Sequence, residues 1–247
     1  VDSKTWNSEE VDLTLEELGT LKEALNEVLP GILHAMIAGG LIDPKRVSDR
    51  SYLWSVVKKN LAEQLESVGI IFKLDKEFLA AARAAILSSQ PAAAVVLLST
   101  VIEHKLNTYH RLVLESKGLS YREVTEIISR DSFADELGWL MSLAGTVNLP
   151  QQLTTRINTL IDLRDCIVHY KARPSSSLDT DESSWHGLHG IRGRLNQLDL
   201  RSYITLIEEM DQLLEARLEE QVPDWRLAKE ACIVMLGPQL SQSANQT

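Results

Sequence analysis

Within about one and a half turns of helix, the stretch Leu163-Arg164-Asp165-Cys166-Ile167-Val168-His169 brings together a cation, a carboxylate and an imidazole. An imidazole exchanges protons near neutral pH, so His169 suits the role of general base or general acid. A guanidinium offers a planar fork of donors, so Arg164 suits an anionic group such as a phosphate. Asp165 and His169 are four apart, which leaves their side chains about 40° from one another on one helical face. The carboxylate can then fix the tautomer and direction of the ring and raise its basicity, while the charge of Arg164 opposes that rise. Arg164 and His169 are five apart, about 140° and about 7.5 Å of rise on an ideal helix. One helix therefore aims them poorly at a common atom. They converge if the helix loosens near Pro174, or if two copies meet on a two-fold axis and each supplies part of one site.

The elements that must position these residues read as helices. Pro150 opens an amphipathic segment with Leu153, Ile157, Leu160, Ile161 and Ile167 as its core face, and it ends in the stretch above. Pro91 opens a longer one through Val95, Leu98, Val101, Ile102, Leu106, Tyr109, Leu112 and Val113 to Lys117, with Gly118 as its stop. On this second helix Glu103 stands one turn from Asn107 and two turns from His110. These polar groups either face solvent or point towards the arginine and histidine of the later helix.

Arginine, a polar residue, three further residues and then histidine, near the end of a bundle helix, resembles the signature of the HEPN superfamily. The pattern of Glu103 and Asn107 on an earlier long helix also looks like that family's first bundle helix. The resemblance implies an all-α HEPN-like bundle that dimerises with the two signatures facing each other. Many members are metal-independent endoribonucleases, toxins and antiphage effectors among them; others have lost catalysis and only bind or scaffold. Carried onto this chain, the resemblance makes Arg164, Asp165 and His169 catalytic and Glu103, Asn107 and Tyr170 supporting; Lys171 and Arg173, just beyond the histidine, and Arg192 and Arg194 of the later irregular region are read from the sequence itself as RNA contacts. The reaction it implies is attack of the 2′-hydroxyl on the adjacent phosphorus, leaving a cyclic phosphate and a 5′-hydroxyl. His169 would move the proton, Arg164 would hold the crowded phosphorane oxygens, and a second His169 across the dimer would serve as the complementary acid. In some related toxins a nucleotidyltransferase modifies a tyrosine two residues after the histidine. Here Tyr170 follows His169 directly and position 171 is lysine, which puts that mode of control in doubt.

Composition limits what else the chain can be. With 44% apolar residues among 247, a sizeable helical core is available. The longest apolar run, around Ala92 to Leu98, is too short to span a bilayer and is followed by Glu103, His104 and Lys105. No secretory pattern is visible in Val1-Asp2-Ser3-Lys4, so no membrane association and a cytoplasmic location are expected. The two cysteines, Cys166 and Cys232, form neither a disulfide framework nor a metal-ligand spacing, so no metal and no cofactor are expected. A formal charge of −10 argues against a general nucleic-acid coating surface. RNA contact should therefore be confined and salt-dependent.

Taken in order, residues 1–72 read as an N-terminal helical extension, 73–222 as the bundle, and 223–247 as a C-terminal helix and disordered tail. Asp43-Pro44 looks like a helix start leading on to Gly69, and Gly39-Gly40 like a stop before it. Ser120 with Glu123 has capping-box spacing. His34, set among apolar residues, reads as a packed histidine. The irregular region from Ser175 to Arg194 contains Trp185, His186, His189, Arg192 and Arg194, a composition that can cover a site or grip an RNA backbone. Two functions are carried forward: a dimeric endoribonuclease of toxin–antitoxin or antiphage type, with a possible antitoxin or regulatory partner, and a catalytically silent helical adaptor.

Overall fold

The structure, a computed structural model, describes residues 28–64, 75–130, 132–133, 136–145, 149–168 and 191–237. All regular structure among them is helical, with no strand, so the fold is all-α. No helix among the described residues is long and apolar enough to cross a membrane. The chain divides into two compact units, one of Val1–Phe72 with Asp224–Thr247 and one of Lys73–Pro223.

In the first unit, α1 covers residues 28–38, α2 covers Arg50–Gln64, and the last helix of the chain, α9, covers Pro223–Leu236. Leu29, Leu33, Met36, Ile37, Leu53 and Val57 share one buried cluster with Ala228, Ala231 and Met235. α1 and α2 thus build a common core with α9, far off in sequence, a non-local pairing that periodicity alone does not reveal. Gly39-Gly40 ends α1 as expected: Gly40 has φ +71°, and Leu41 N donates to Met36 O at 2.8 Å. The start signal at Asp43-Pro44 behaves differently from the expectation. Asp43 caps only a 3-10 turn, Pro44–Arg46, and α2 begins afresh at Arg50, where Asp49 Oδ1 accepts from Tyr52 N at 2.9 Å. The Tyr52 hydroxyl accepts from Asp43 N at 2.9 Å, which ties the turn back over α2. His34 is buried edge-on to Trp225, with ring centroids 5.7 Å apart, and burial holds its pKa down against the opposing charge of Asp224.

The second unit is arranged around α4, Pro91–Ser116, which packs against α3 (Asp75–Leu87), α5 (Tyr121–Arg130), α6 (Gln151–Val168) and α8 (Leu200–Gln221). Buried residues on α4 run from Ala94 to Leu114 with helical period, which is why it can serve as the centre. Gly118, at φ +93°, ends it, and the Ser120–Glu123 capping box opens α5: Ser120 N donates to Glu123 Oε2 at 2.8 Å and Glu123 N to Ser120 Oγ at 3.4 Å. Between α5 and α6, Glu136–Leu140 winds as a π-helix and continues as Met141–Leu143. α6 buries Leu153, Ile157, Leu160, Ile161 and Leu163, while Ile167 is only half-buried. Two hydrogen bonds fix α6 to α8: Arg156 Nη2 donates to Ser202 Oγ at 2.7 Å, and the Tyr203 hydroxyl donates to Arg156 O at 3.2 Å. Residues 191–197 form a further helix, α7.

Candidate functional site

The last described turn of α6 holds Arg164 and Asp165, with the half-buried Cys166 beside them. Helical periodicity places Leu160, Ile161 and Leu163 in the core, so Arg164 falls at the margin between core and solvent. Its side chain retains 23% of its exposure, and Nη2 donates to Glu103 Oε1 of α4, itself 28% exposed. This ion pair joins the two helices whose polar residues could equally have faced solvent. Asp165 Oδ1 lies 3.2 Å from Arg164 Nε, close enough for attraction but without hydrogen-bond geometry, and Nε makes no hydrogen bond among the described residues. Asp165 is half-exposed, which leaves its carboxylate reachable from solvent.

Asn107, one turn along α4 from Glu103, is half-buried, and its Oδ1 is shielded without a hydrogen-bond partner among the described residues. His110, two turns from Glu103, has a different fate: it is fully buried, and its Nε2 bonds to the carbonyl of Glu136 at 3.0 Å. The π-helical segment therefore captures the histidine, and the polar row read along α4 splits between two neighbours. Burial pushes the His110 pKa down to about 4.

Arg194 of α7 donates from Nη1 to Cys166 Sγ at 3.8 Å, which brings a second guanidinium to the end of α6. Arg192 is exposed on the same helix. The contact of Arg194 with Cys166 depends on a chain return of 28 residues, and no local spacing announces it. His169, Tyr170, Lys171 and Arg173 lie outside the described residues, as do Trp185, His186 and His189. The structure thus brings together Glu103, Arg164 and Asp165, places Arg194 against Cys166, and leaves Asn107 one turn along α4 from Glu103 without a bond to them among the described residues. No group of three or more His, Cys, Asp and Glu side chains able to hold a metal occurs among the described residues.

Chemically, this arrangement is an ion pair between two helices with a second carboxylate beside the guanidinium. The guanidinium of Arg164 is held in place by a carboxylate from a neighbouring helix, a common way to lock a flexible cation into one orientation. Nη2 is hydrogen-bonded to Glu103, and Nε is shielded from solvent beside Asp165 without a hydrogen bond among the described residues. No protein-family model matches the chain, and neither a curated protein nor a solved structure matches it.

Proposed function

We propose that the chain is a metal-independent endoribonuclease of HEPN type, cleaving RNA by 2′-hydroxyl attack at a site shared by two copies, in a toxin–antitoxin or antiphage setting. The observation that carries the reading is the Glu103–Arg164 pair: a half-buried guanidinium at the end of α6, oriented from the central helix, five residues before a histidine. Arg164 would hold the phosphate, Asp165 would orient His169, and His169 would take or give the proton. Arg194, and Lys171 and Arg173 just after the histidine in sequence, would guide the RNA backbone.

The test uses Arg164→Ala and His169→Ala beside the unaltered protein, with chelator present and a labelled RNA as substrate. Loss of cleavage by about a hundredfold or more in each variant, with unchanged circular dichroism and cyclic-phosphate ends in the parent digest, is expected. Cleavage undiminished in both variants would refute the assignment.

One observation favours a second reading. Arg164 already has Glu103 as partner and Asp165 close by, so its charge is balanced without any ligand. That is what a structural arginine in a silent helical adaptor would show, and absence of RNA cleavage under every activating condition tried would turn the conclusion to it.

A further inference from the structure

The first unit carries a face that the cleavage chemistry does not use. Arg50, Trp54 and Lys58 recur every four residues on α2 and so line up along one side of it, with about 12 Å of helix between the two cations. Together with Ser51 and Ser55 they line a solvent-open cleft of about 540 Å³.

Two properties of this face bear on what it could bind. The first is its charge. The chain has 35 acidic residues to 25 basic ones, and several cations elsewhere pair with carboxylates, as Arg83 does with Glu208 at 3.2 Å and Lys105 with Asp211 at 2.6 Å. Arg50 and Lys58 have no acidic partner among the described residues. The carboxylate nearest to Arg50 in sequence, Asp49, is committed to Tyr52 N and to Arg46 Nη2 at 2.8 Å, and these bonds hold its pKa below the usual carboxylate range. The second is Trp54, which packs against the core of the unit and still contributes to the cleft lining. An indole anchored in the core, between two cations that have no acidic partner among the described residues, can offer a stacking surface with charge on either side.

We propose that this face binds a single-stranded polynucleotide, with a base stacked on Trp54 and flanking phosphates held by Arg50 and Lys58. The exposed hydroxyl of Ser51 adds a neutral donor; that of Ser55 donates to Tyr52 O at 2.7 Å. An acidic peptide would answer the cations but would leave the indole without a flat partner. The inference does not rest on the cleavage reading, because binding on α2 is independent of whether Arg164 serves catalysis.

The experiment measures fluorescence anisotropy of labelled twelve-residue oligo(U) and oligo(dT), using the full chain carrying Arg164→Ala so that the probe survives. Binding that weakens with salt is expected. Arg50→Glu with Lys58→Glu should weaken it about tenfold or more at low salt, and should flatten the slope of log affinity against log salt by about 1.4 for two lost phosphate contacts. Trp54→Leu, which keeps the core filled, should weaken it about fivefold or more. Should the double charge reversal fold poorly, Arg50→Gln with Lys58→Gln gives the same test, with the same loss of slope. Unchanged affinity and slope in a folded charge variant would overturn the proposal. So would binding of a glutamate-rich peptide, but of neither oligonucleotide, to this face. Loss of RNA cleavage with α2 binding intact, or the reverse, separates the two sites.

Discussion

His110 makes the stability of the second unit depend on pH in a direction and size that follow from its surroundings. It is fully buried, its Nε2–H donates to the Glu136 carbonyl, and its Nδ1 has no hydrogen-bond partner among the described residues. Taking the ring out of water disfavours the imidazolium, so its pKa falls from the ordinary 6.5 to about 4, with the Glu136 carbonyl opposing the fall only in part. Between these values the unfolded chain binds a proton that the folded chain refuses. Stability therefore rises with pH across that window: it is fully present above about 6.5 and lost as pH falls towards 4. A displacement of about 2.5 pKa units corresponds to about 3 kcal/mol, of which about 2.5 kcal/mol is already lost at pH 4.5. Urea unfolding followed by circular dichroism at pH 7.5 and pH 4.5, on the parent and on His110→Gln, isolates this contribution. The amide of glutamine keeps a donor for the Glu136 carbonyl but does not titrate, and His34 and the surface carboxylates cancel in the comparison. The stability difference between parent and variant should shift by about 2–3 kcal/mol against the parent on acidification. A difference constant to within about 0.5 kcal/mol would refute the reasoning, because it would mean that the folded state accepts the proton at the same pH as the unfolded one.

The other predictions concern the pair at the end of α6 and the start of α5. Glu103→Gln, Arg164→Ala and the double variant form a cycle in which side-chain exposures of 28% and 23% place the pair between surface and buried cases. A coupling of about 1–2 kcal/mol in urea unfolding is expected, and one below about 0.3 kcal/mol would show that the contact contributes nothing to stability. In the cleavage assay, Glu103→Gln should lower activity if Glu103 orients the guanidinium. Ser120→Ala removes the hydroxyl that accepts from Glu123 N, and it should cost about 1 kcal/mol, read as a lower urea midpoint with unchanged slope.

Much of the architecture was legible because local signals agreed with one another. Pro91 and Gly118 bracket α4, its apolar period is unbroken between them, and the Ser120–Glu123 box follows at once. Legibility failed where two local signals competed or where a distant segment decided the outcome. Asp43 and Asp49 are both good caps, and nothing in their spacing says that the first starts only a 3-10 turn; the bond from Asp43 N to the Tyr52 hydroxyl favours that outcome. Glu103, Asn107 and His110 look alike on a helical wheel. Their environments differ because α6 supplies a cation to the first, and the Glu136 carbonyl takes the last out of water. The shared core of α1, α2 and α9 is likewise a pairing of segments far apart in sequence, invisible to any window a few turns long. Glu103, Arg164 and Asp165 could be picked out by residue type and helical spacing, whereas the contact of Arg194 with Cys166 required the fold.

The two functional readings put opposite demands on Glu103. In a silent adaptor the carboxylate only neutralises an arginine stranded at the edge of the core, and replacing it frees that arginine to seek another anion, so RNA binding should strengthen as cleavage stays absent. In a nuclease the same carboxylate has to hold the guanidinium by one edge and leave the remainder of the fork open to the phosphate. The second demand is met only if Asp165 moves: Nη2 is committed to Glu103, and Nε is shielded from solvent 3.2 Å from Asp165 Oδ1, without a hydrogen bond among the described residues. A dianionic phosphorane offers more charge and better matched geometry than that loose contact, so it can displace Asp165 without disturbing Glu103. Displacing Asp165 would leave its half-exposed carboxylate to serve His169, four residues on, which is the role that their spacing on the helix permits.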